Sequence, residues 1–146
     1  AFAVMKTELF PLATVVTPNL PEAELLVGRE ITGKQDLAEA AQEIFELGSR
    51  SVVVKGGHLE DPEHSTDYLY DGKELTSLVG PRLGSRNTHG SGCTLASAAA
   101  AYLARGSGIQ DAVRQAKEFV TEAIRHSLSL GHGQGPLGHF WKYWDE

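Results

Sequence analysis

The chain of 146 residues holds a single cysteine, few positive charges and no long apolar run. One cysteine forms no internal disulfide, which fits a reducing cytosol and leaves a free thiol, Cys93, whose position needs a reason. No apolar stretch approaches the roughly 18 residues that a membrane span needs. The N-terminus has no basic segment followed by an apolar one, so no signal peptide is visible. The expected location is therefore cytoplasmic. Thirteen basic side chains against nineteen acidic ones give a net charge of −6, which argues against nucleic acid and anionic membranes as partners. None of the six histidines stands four residues from another on a helix, and no Cys/His zinc spacing exists, so no direct metal ligand set is expected. Internal repeats, low-complexity tracts and long linkers are missing too. So is an initiator methionine: the chain starts at Ala1, and Val4 to Phe10 look like the end of a helix, as in a fragment or a processed chain.

What is present fits one domain, residues 1–146, with a real core: hydrophobic residues make up 41% and charged residues 22%. Thr14-Val15-Val16-Thr17, closed by Pro18, reads as a short buried strand. Asn19-Leu20-Pro21-Glu22 opens a helix to about Val27, stopped by Gly28. Thr32 and Gln35 have capping-box spacing before a second helix, whose inner face is Leu37, Ala40, Ala41, Ile44 and Phe45, with Gly48 at its end. Ser51-Val52-Val53-Val54 is a second buried strand, closing on Lys55-Gly56-Gly57. Thr66 to Tyr70 alternates, Asp71-Gly72 is a hairpin turn, and Lys73 to Val79 is the return strand. An alanine-dominated helix from about Gly92 to Ala104 suits burial all round. A last helix, about Ile109 to Leu128, carries the apolar stripe Ile109, Ala112, Val113, Ala116, Phe119, Val120, Ala123 and Ile124. Strands separated by helical crossovers indicate a parallel α/β sheet.

Residues 87–95, Asn-Thr-His-Gly-Ser-Gly-Cys-Thr-Leu, are the most informative stretch. Gly90, Ser91 and Gly92 lie at a loop-to-helix junction, where backbone N–H groups lack intrahelical partners and the dipole is positive. Glycines let the backbone approach an anion closely. The bland alternative is a glycine-rich helix start that binds nothing. Cys93 sits on its lip. The dipole favours a thiolate there, with His89 four residues earlier as a neighbour, whereas a free cysteine read by itself is a buried small hydrophobe. Asn19 and Glu22 fit a capping box, and equally a magnesium site held through water beyond a strand's carboxyl end. Lys55, also at a strand end, can reach a phosphate or simply extend into solvent.

Together, Thr17-Pro18-Asn19-Leu20-Pro21-Glu22-Ala23-Glu24, Val54-Lys55-Gly56-Gly57-His58, Asn87 to Leu95, and the tail Gly131-His132-Gly133-Gln134-Gly135-Pro136 with His139 resemble the hydroxymethylpyrimidine/phosphomethylpyrimidine kinases of thiamine biosynthesis. The resemblance covers essentially the whole chain but only the C-terminal part of that family's fold. That fold is the ribokinase-like three-layer α/β/α sandwich with a mostly parallel sheet.

The resemblance implies an ATP- and Mg²⁺-dependent phosphotransferase acting on a hydroxymethylated pyrimidine or its monophosphate. Gly90, Ser91, Gly92 and the Cys93 amide match the anion hole facing the γ-phosphate, and Cys93 matches the catalytic position. Lys55 and Thr88 match ATP- and phosphate-binding positions. Asn19 and Glu22 match the network that organises magnesium and phosphate. Ser91 departs from the threonine of the pattern. The implied partners are ATP, a small pyrimidine, the absent N-terminal half and a second copy in a homodimer. The alternative within the class is a pyridoxal kinase. Those outside it are a Cys93-dependent hydrolase paired with His89 and a non-catalytic nucleotide-binding fragment.

Overall fold

Asn19 turns an extended chain into a helix by reciprocal capping. Its Oδ1 accepts from the Glu22 N–H at 2.8 Å, and Glu22 Oε2 accepts from the Asn19 N–H at 2.8 Å. A cap of this kind stabilises a helix start by about 1 kcal/mol. The helix it opens is α2 (Leu20–Val27), with Pro21 in its first turn and Gly28 in the left-handed region at its end. The computed structural model describes residues 2–56, 62–85, 87–130 and 132–143, which fall into two compact units, 1–79 and 80–146.

In the first unit, α1 (Phe2–Val4) runs on through a π-helical turn, Met5–Leu9, and a 3-10 turn, Phe10–Leu12. The expected helix end is therefore present. The 14–17 run is extended and pairs in parallel with β1 (Val52–Lys55), through bridges Val16 to Val52 and Asn19 to Lys55. Val53 N–H donates to the Val16 carbonyl at 2.8 Å and Lys55 N–H to that of Pro18 at 2.9 Å. This segment was expected to be buried. Instead Thr14 is exposed and Val15 to Thr17 are half-buried, because β-branching dictates extended backbone rather than cover on both faces.

Helix α3 (Lys34–Phe45) buries Leu37, Ala40, Ala41 and Ile44 as the periodicity predicts, with Phe45 half-buried. Its cap is one residue away from the expected one. Gly33 is the N-cap, so Asp36, not Gln35, occupies the third helical position. The Asp36 carboxylate accepts from both the amide and the hydroxyl of Thr32, at 2.9 and 2.7 Å.

Val52 and Val54 are fully buried against this helix layer, in a core with Leu26, Ile31, Leu37 and Ile44, while Val53, also fully buried, belongs to the opposite face of the strand. Strand β1 pairs antiparallel with β2 (His64–Tyr70), Val52 facing Tyr70 and Lys55 facing Asp67. Strand β3 (Leu75–Pro81) lies on the far side of β2. The connection from 71 to 74 is far too short for a parallel crossover. The sheet is thus mixed, its parallel part being the pairing of 16–19 with 52–55. At the turn, Asp71 Oδ1 accepts from the amides of Lys73 and Glu74, both at 3.0 Å. Gly72 there has φ +89°, and a Cβ on it would stand 2.5 Å from Phe45 Cζ.

The second unit is built on α4 (Ser91–Ala104) and α5 (Ile109–Arg125). Leu95, Ala99 and Ala116 form its buried centre, flanked by Tyr102 and Val120. Helix α4 is buried on one face only: Cys93, Ala96, Ser97, Ala100 and Ala101 are exposed. Alanine along a helix permits close packing without requiring it on every side. The stripe of α5 packs as expected, with Ala112, Val113, Ala116 and Ala123 buried. The helix ends at Arg125, short of Leu128, because Leu128 N–H donates to the Pro136 carbonyl instead of continuing the helical ladder. Among the described residues, no helix is long and apolar enough to cross a membrane.

Candidate active site

Among the described residues, no side chain caps the start of α4. Gly90, its N-cap, sits at φ +84° and ψ −1°, in the left-handed region that suits glycine. Among the described residues no atom would lie within 4 Å of a Cβ there, so it is the backbone conformation that selects the glycine. The turn closes through Ser91 N–H donating to the Thr88 carbonyl at 3.1 Å. The helical ladder begins when Thr94 N–H donates to the Gly90 carbonyl at 2.9 Å. The amides of Gly92 and Cys93 come before that first bond and are left for a ligand or solvent. Of the four amides expected in an anion hole, that of Ser91 is therefore engaged in the turn; among the described residues those of Gly90, Gly92 and Cys93 have no such bond, and Gly92 and Cys93 are the open pair within the helix itself.

Cys93 is exposed. The reading of this lone thiol as a buried hydrophobe is overturned: α4 turns Leu95 and Ala99 inward, and Cys93 falls outside that face. Thr88 and His89 are exposed in the same turn, and no hydrogen bond links His89 to Cys93 among the described residues. A groove of about 620 Å³ runs along α4 from Gly90 and Cys93 past Ser97 and Tyr102 to Arg105, with His139 on its wall.

Two residues missed by sequence reasoning support the turn. The Thr94 hydroxyl donates to the Gly90 carbonyl at 2.9 Å and lies 2.9 Å from His139 Nε2. Asn87 Oδ1 accepts from the Gly135 N–H at 2.6 Å, and Asn87 Nδ2 donates to the Leu128 carbonyl at 3.3 Å. A threonine four residues after the glycine was the available signal for the first. The second joins distant parts of the chain and leaves no local pattern.

The remaining candidates belong to the first unit, where the fold brings three of them together. Asn19 is the parallel bridge partner of Lys55, and Glu22 is tied to Asn19 by the capping box. All three thus gather at the carboxyl end of β1. Gly57 and His58, part of the same motif, lie outside the described residues. One oxygen of Glu22, Oε2, is committed to the Asn19 amide. A single carboxylate with one oxygen engaged suits a magnesium ion that keeps most of its waters, not a protein cage. Among the described residues no three of His, Cys, Asp and Glu converge as a metal site.

Residues 1–138 match the family model for phosphomethylpyrimidine kinase. The hydroxymethylpyrimidine/phosphomethylpyrimidine kinase of Synechococcus elongatus is 48% identical over 141 residues, which is 97% of this chain and 54% of that protein. The chain therefore spans about half the length of this relative. The ADP complex of Bacillus subtilis pyridoxal kinase aligns with a TM-score of 0.89 at 41% identity, covering 94% of this chain and 54% of that one. The phosphomethylpyrimidine kinase of Clostridium difficile 630 aligns with a TM-score of 0.66 at 38% identity, covering 82% and 47%. The ribokinase-like α/β fold expected from the sequence is the one these structures have, and this chain corresponds to about half of each.

Proposed function

Because the chain belongs to the phosphomethylpyrimidine kinase family, we propose that it is the C-terminal, phosphate-binding part of a single ribokinase-like domain. The activity is transfer of the γ-phosphoryl group of ATP to 4-amino-5-hydroxymethyl-2-methylpyrimidine, to its monophosphate, or to both, in thiamine diphosphate biosynthesis. The observation that carries this reading is the uncapped start of α4: two open amides, at Gly92 and Cys93, beside an exposed thiol.

Phosphoryl transfer asks for positioning and for neutralising charge spread over the transferred oxygens. The Gly92 and Cys93 amides can do this with no reorganisation, since both precede the first bond of the helical ladder and need break none to bind. One such donor contributes about 3 kcal/mol of transition-state stabilisation in enzymes where it has been removed. The substrate hydroxyl oxygen attacks the γ-phosphorus, the bond to ADP breaks, and Cys93 Sγ takes the hydroxyl proton. Lys55 and Thr88 serve the ATP phosphates, Lys55 as a point charge. Asn19 and Glu22 would hold magnesium through its waters. The ion supplies charge neutralisation on the phosphates. The assembly is a homodimer acting in the cytoplasm.

A pyridoxal kinase is the second reading, favoured by the higher TM-score to the Bacillus subtilis enzyme. The pyrimidine reading is preferred because the family model spans nearly the whole chain. The test is ATP-dependent product formation by the intact protein from hydroxymethylpyrimidine and from pyridoxal, side by side, with Cys93→Ala as control. A pyrimidine product that is lost in the variant supports the proposal. Product from pyridoxal alone replaces it with the second reading. ATP binding without turnover of either acceptor identifies a non-catalytic fragment, and ester hydrolysis without nucleotide a thiol hydrolase.

A further inference from the structure

Thr94 has one hydroxyl hydrogen, and it is spent on the Gly90 carbonyl at 2.9 Å. His139 Nε2, 2.9 Å from the same oxygen, must then be the donor, so its ring carries the proton on Nε2. The chain of contacts runs His139 to Thr94 to Gly90, and it ends on the left-handed N-cap residue that precedes the open amides.

The histidine is itself held by a close-fitting tail. Gly138 N–H donates to the Ala123 carbonyl of α5 at 2.8 Å, and a Cβ at Gly138 would stand 2.2 Å from the His126 carbonyl oxygen. The tail thus lies against the end of α5 at a distance only glycine allows. His126 stacks on Trp141 with ring centroids 5.2 Å apart, closing the far side. At the other end of the loop, Asn87 is bound by Gly135 and Leu128. The tail therefore holds the 87–94 loop at both ends.

From this geometry we infer that His139 is a positioning residue for the phosphate-binding loop: through Thr94 it fixes the Gly90 carbonyl and the Gly90–Ser91 peptide plane, and so the helix start that carries the Gly92 and Cys93 amides. The inference rests on the kinase reading for its kinetic consequence and on geometry alone for the brace. Such a residue touches no substrate. Its loss misaligns donors that matter most when charge develops, so it lowers kcat more than it raises KM.

The experiment uses the intact protein with His139→Phe, which keeps a ring and removes the donor, and His139→Gln, which restores an N–H. In the Phe variant kcat falls about 10- to 100-fold, while KM for ATP stays within roughly threefold. The Gln variant recovers most of the loss. Nitrogen-15 spectra of the wild-type imidazole show a protonated Nε2 in the neutral ring. A Phe variant with wild-type kcat, a Gln variant no better than Phe, or an unprotonated Nε2 overturns the inference. If the intact protein phosphorylates nothing, the kinase reading fails, and hydrogen exchange of the Thr94 amide decides the brace. Faster exchange in Phe than in wild type and Gln supports it, and equal exchange in all three overturns it.

Discussion

Asn87 and Gly135 are 48 positions apart in sequence, yet the Gly135 N–H donates to Asn87 Oδ1 at 2.6 Å. The same asparagine donates to the Leu128 carbonyl. One side chain thus ties the loop before α4 to two separate points of the returning tail, Leu128 and Gly135. Asn87→Ala leaves the buried Gly135 amide without this acceptor, at an expected cost of about 1–3 kcal/mol. Gly135→Ala places a Cβ 2.1 Å from the Leu128 carbonyl oxygen and 2.8 Å from Asn87 Oδ1, and the crowding costs a further loss of similar size, about 1–3 kcal/mol. Urea unfolding of the intact protein measures both. Since the two changes strike one hydrogen bond, the double variant loses less than the sum of the singles. Full additivity would show that the clamp is not a unit.

Gly72 meets a different constraint. Its φ is +89°, and a Cβ there would stand 2.5 Å from Phe45 Cζ, on a ring that also packs edge-on against Tyr70 at 5.2 Å. Gly72→Ala must strain the backbone and displace a ring held by the hairpin itself. The expected cost is about 2–3 kcal/mol, read as a lower denaturation midpoint at unchanged slope. Gly72→Ala combined with Phe45→Leu recovers part of it. If the double variant is no more stable than Gly72→Ala, the ring is not the obstacle.

The carboxyl of Asp36 is held below its ordinary 3.8, first by the Thr32 hydroxyl and then by the Thr32 amide. A depressed folded-state value means that Asp36 contributes stability above 3.8, and that this contribution is lost as pH falls through the lowered folded value. Thr32→Val removes the larger cause and moves the Asp36 titration back towards 3.8, in a side-chain carboxyl NMR titration. It also flattens the pH dependence of stability in that acidic window. An unmoved Asp36 titration in Thr32→Val contradicts the assignment.

Cys93 yields a prediction that separates two acceptors. A primary alcohol keeps its proton at neutral pH and needs a base to release it. A phosphate monoester, with its second ionisation near pH 6, is largely deprotonated already. Cys93→Ala should therefore lower the rate of alcohol phosphorylation by about 100-fold or more, the usual contribution of a general base. Phosphorylation of the monophosphate should suffer far less. Single-turnover rates for the two acceptors measure the ratio. Equal losses would mean that Cys93 acts by position and not as a proton acceptor. The exposure of Cys93 lets the substitution be made without opening a core cavity.

Local patterns made much of the fold legible. The stripe of Leu37, Ala40, Ala41 and Ile44 announces α3, and Asp71-Gly72 announces the hairpin, because both depend on residues within a few positions. The cap of α3 was misplaced by one residue because Thr32 can be served from Gln35 or Asp36, and only backbone geometry decides. Burial at 14–17 and around α4 depends on what packs against each face, which side-chain period alone does not specify. At the site, the Gly90 turn and the Asn19–Glu22 box could be read directly. The exposure of Cys93 could not, since a lone thiol is as readily inward as outward. His139 reaches Thr94 across 45 positions, and no periodicity links them.

The lone cysteine has a practical consequence. Cys93 is exposed and one residue from the open Gly92 amide. Within these 146 residues a thiol-directed fluorophore or spin label has Cys93 as its one site of attachment and reports on its surroundings. Phosphate, ADP or an ATP analogue arriving at the amides changes the environment of the label directly. The residue proposed to move the proton is thus also a ready-made observation point for the ligand that precedes it.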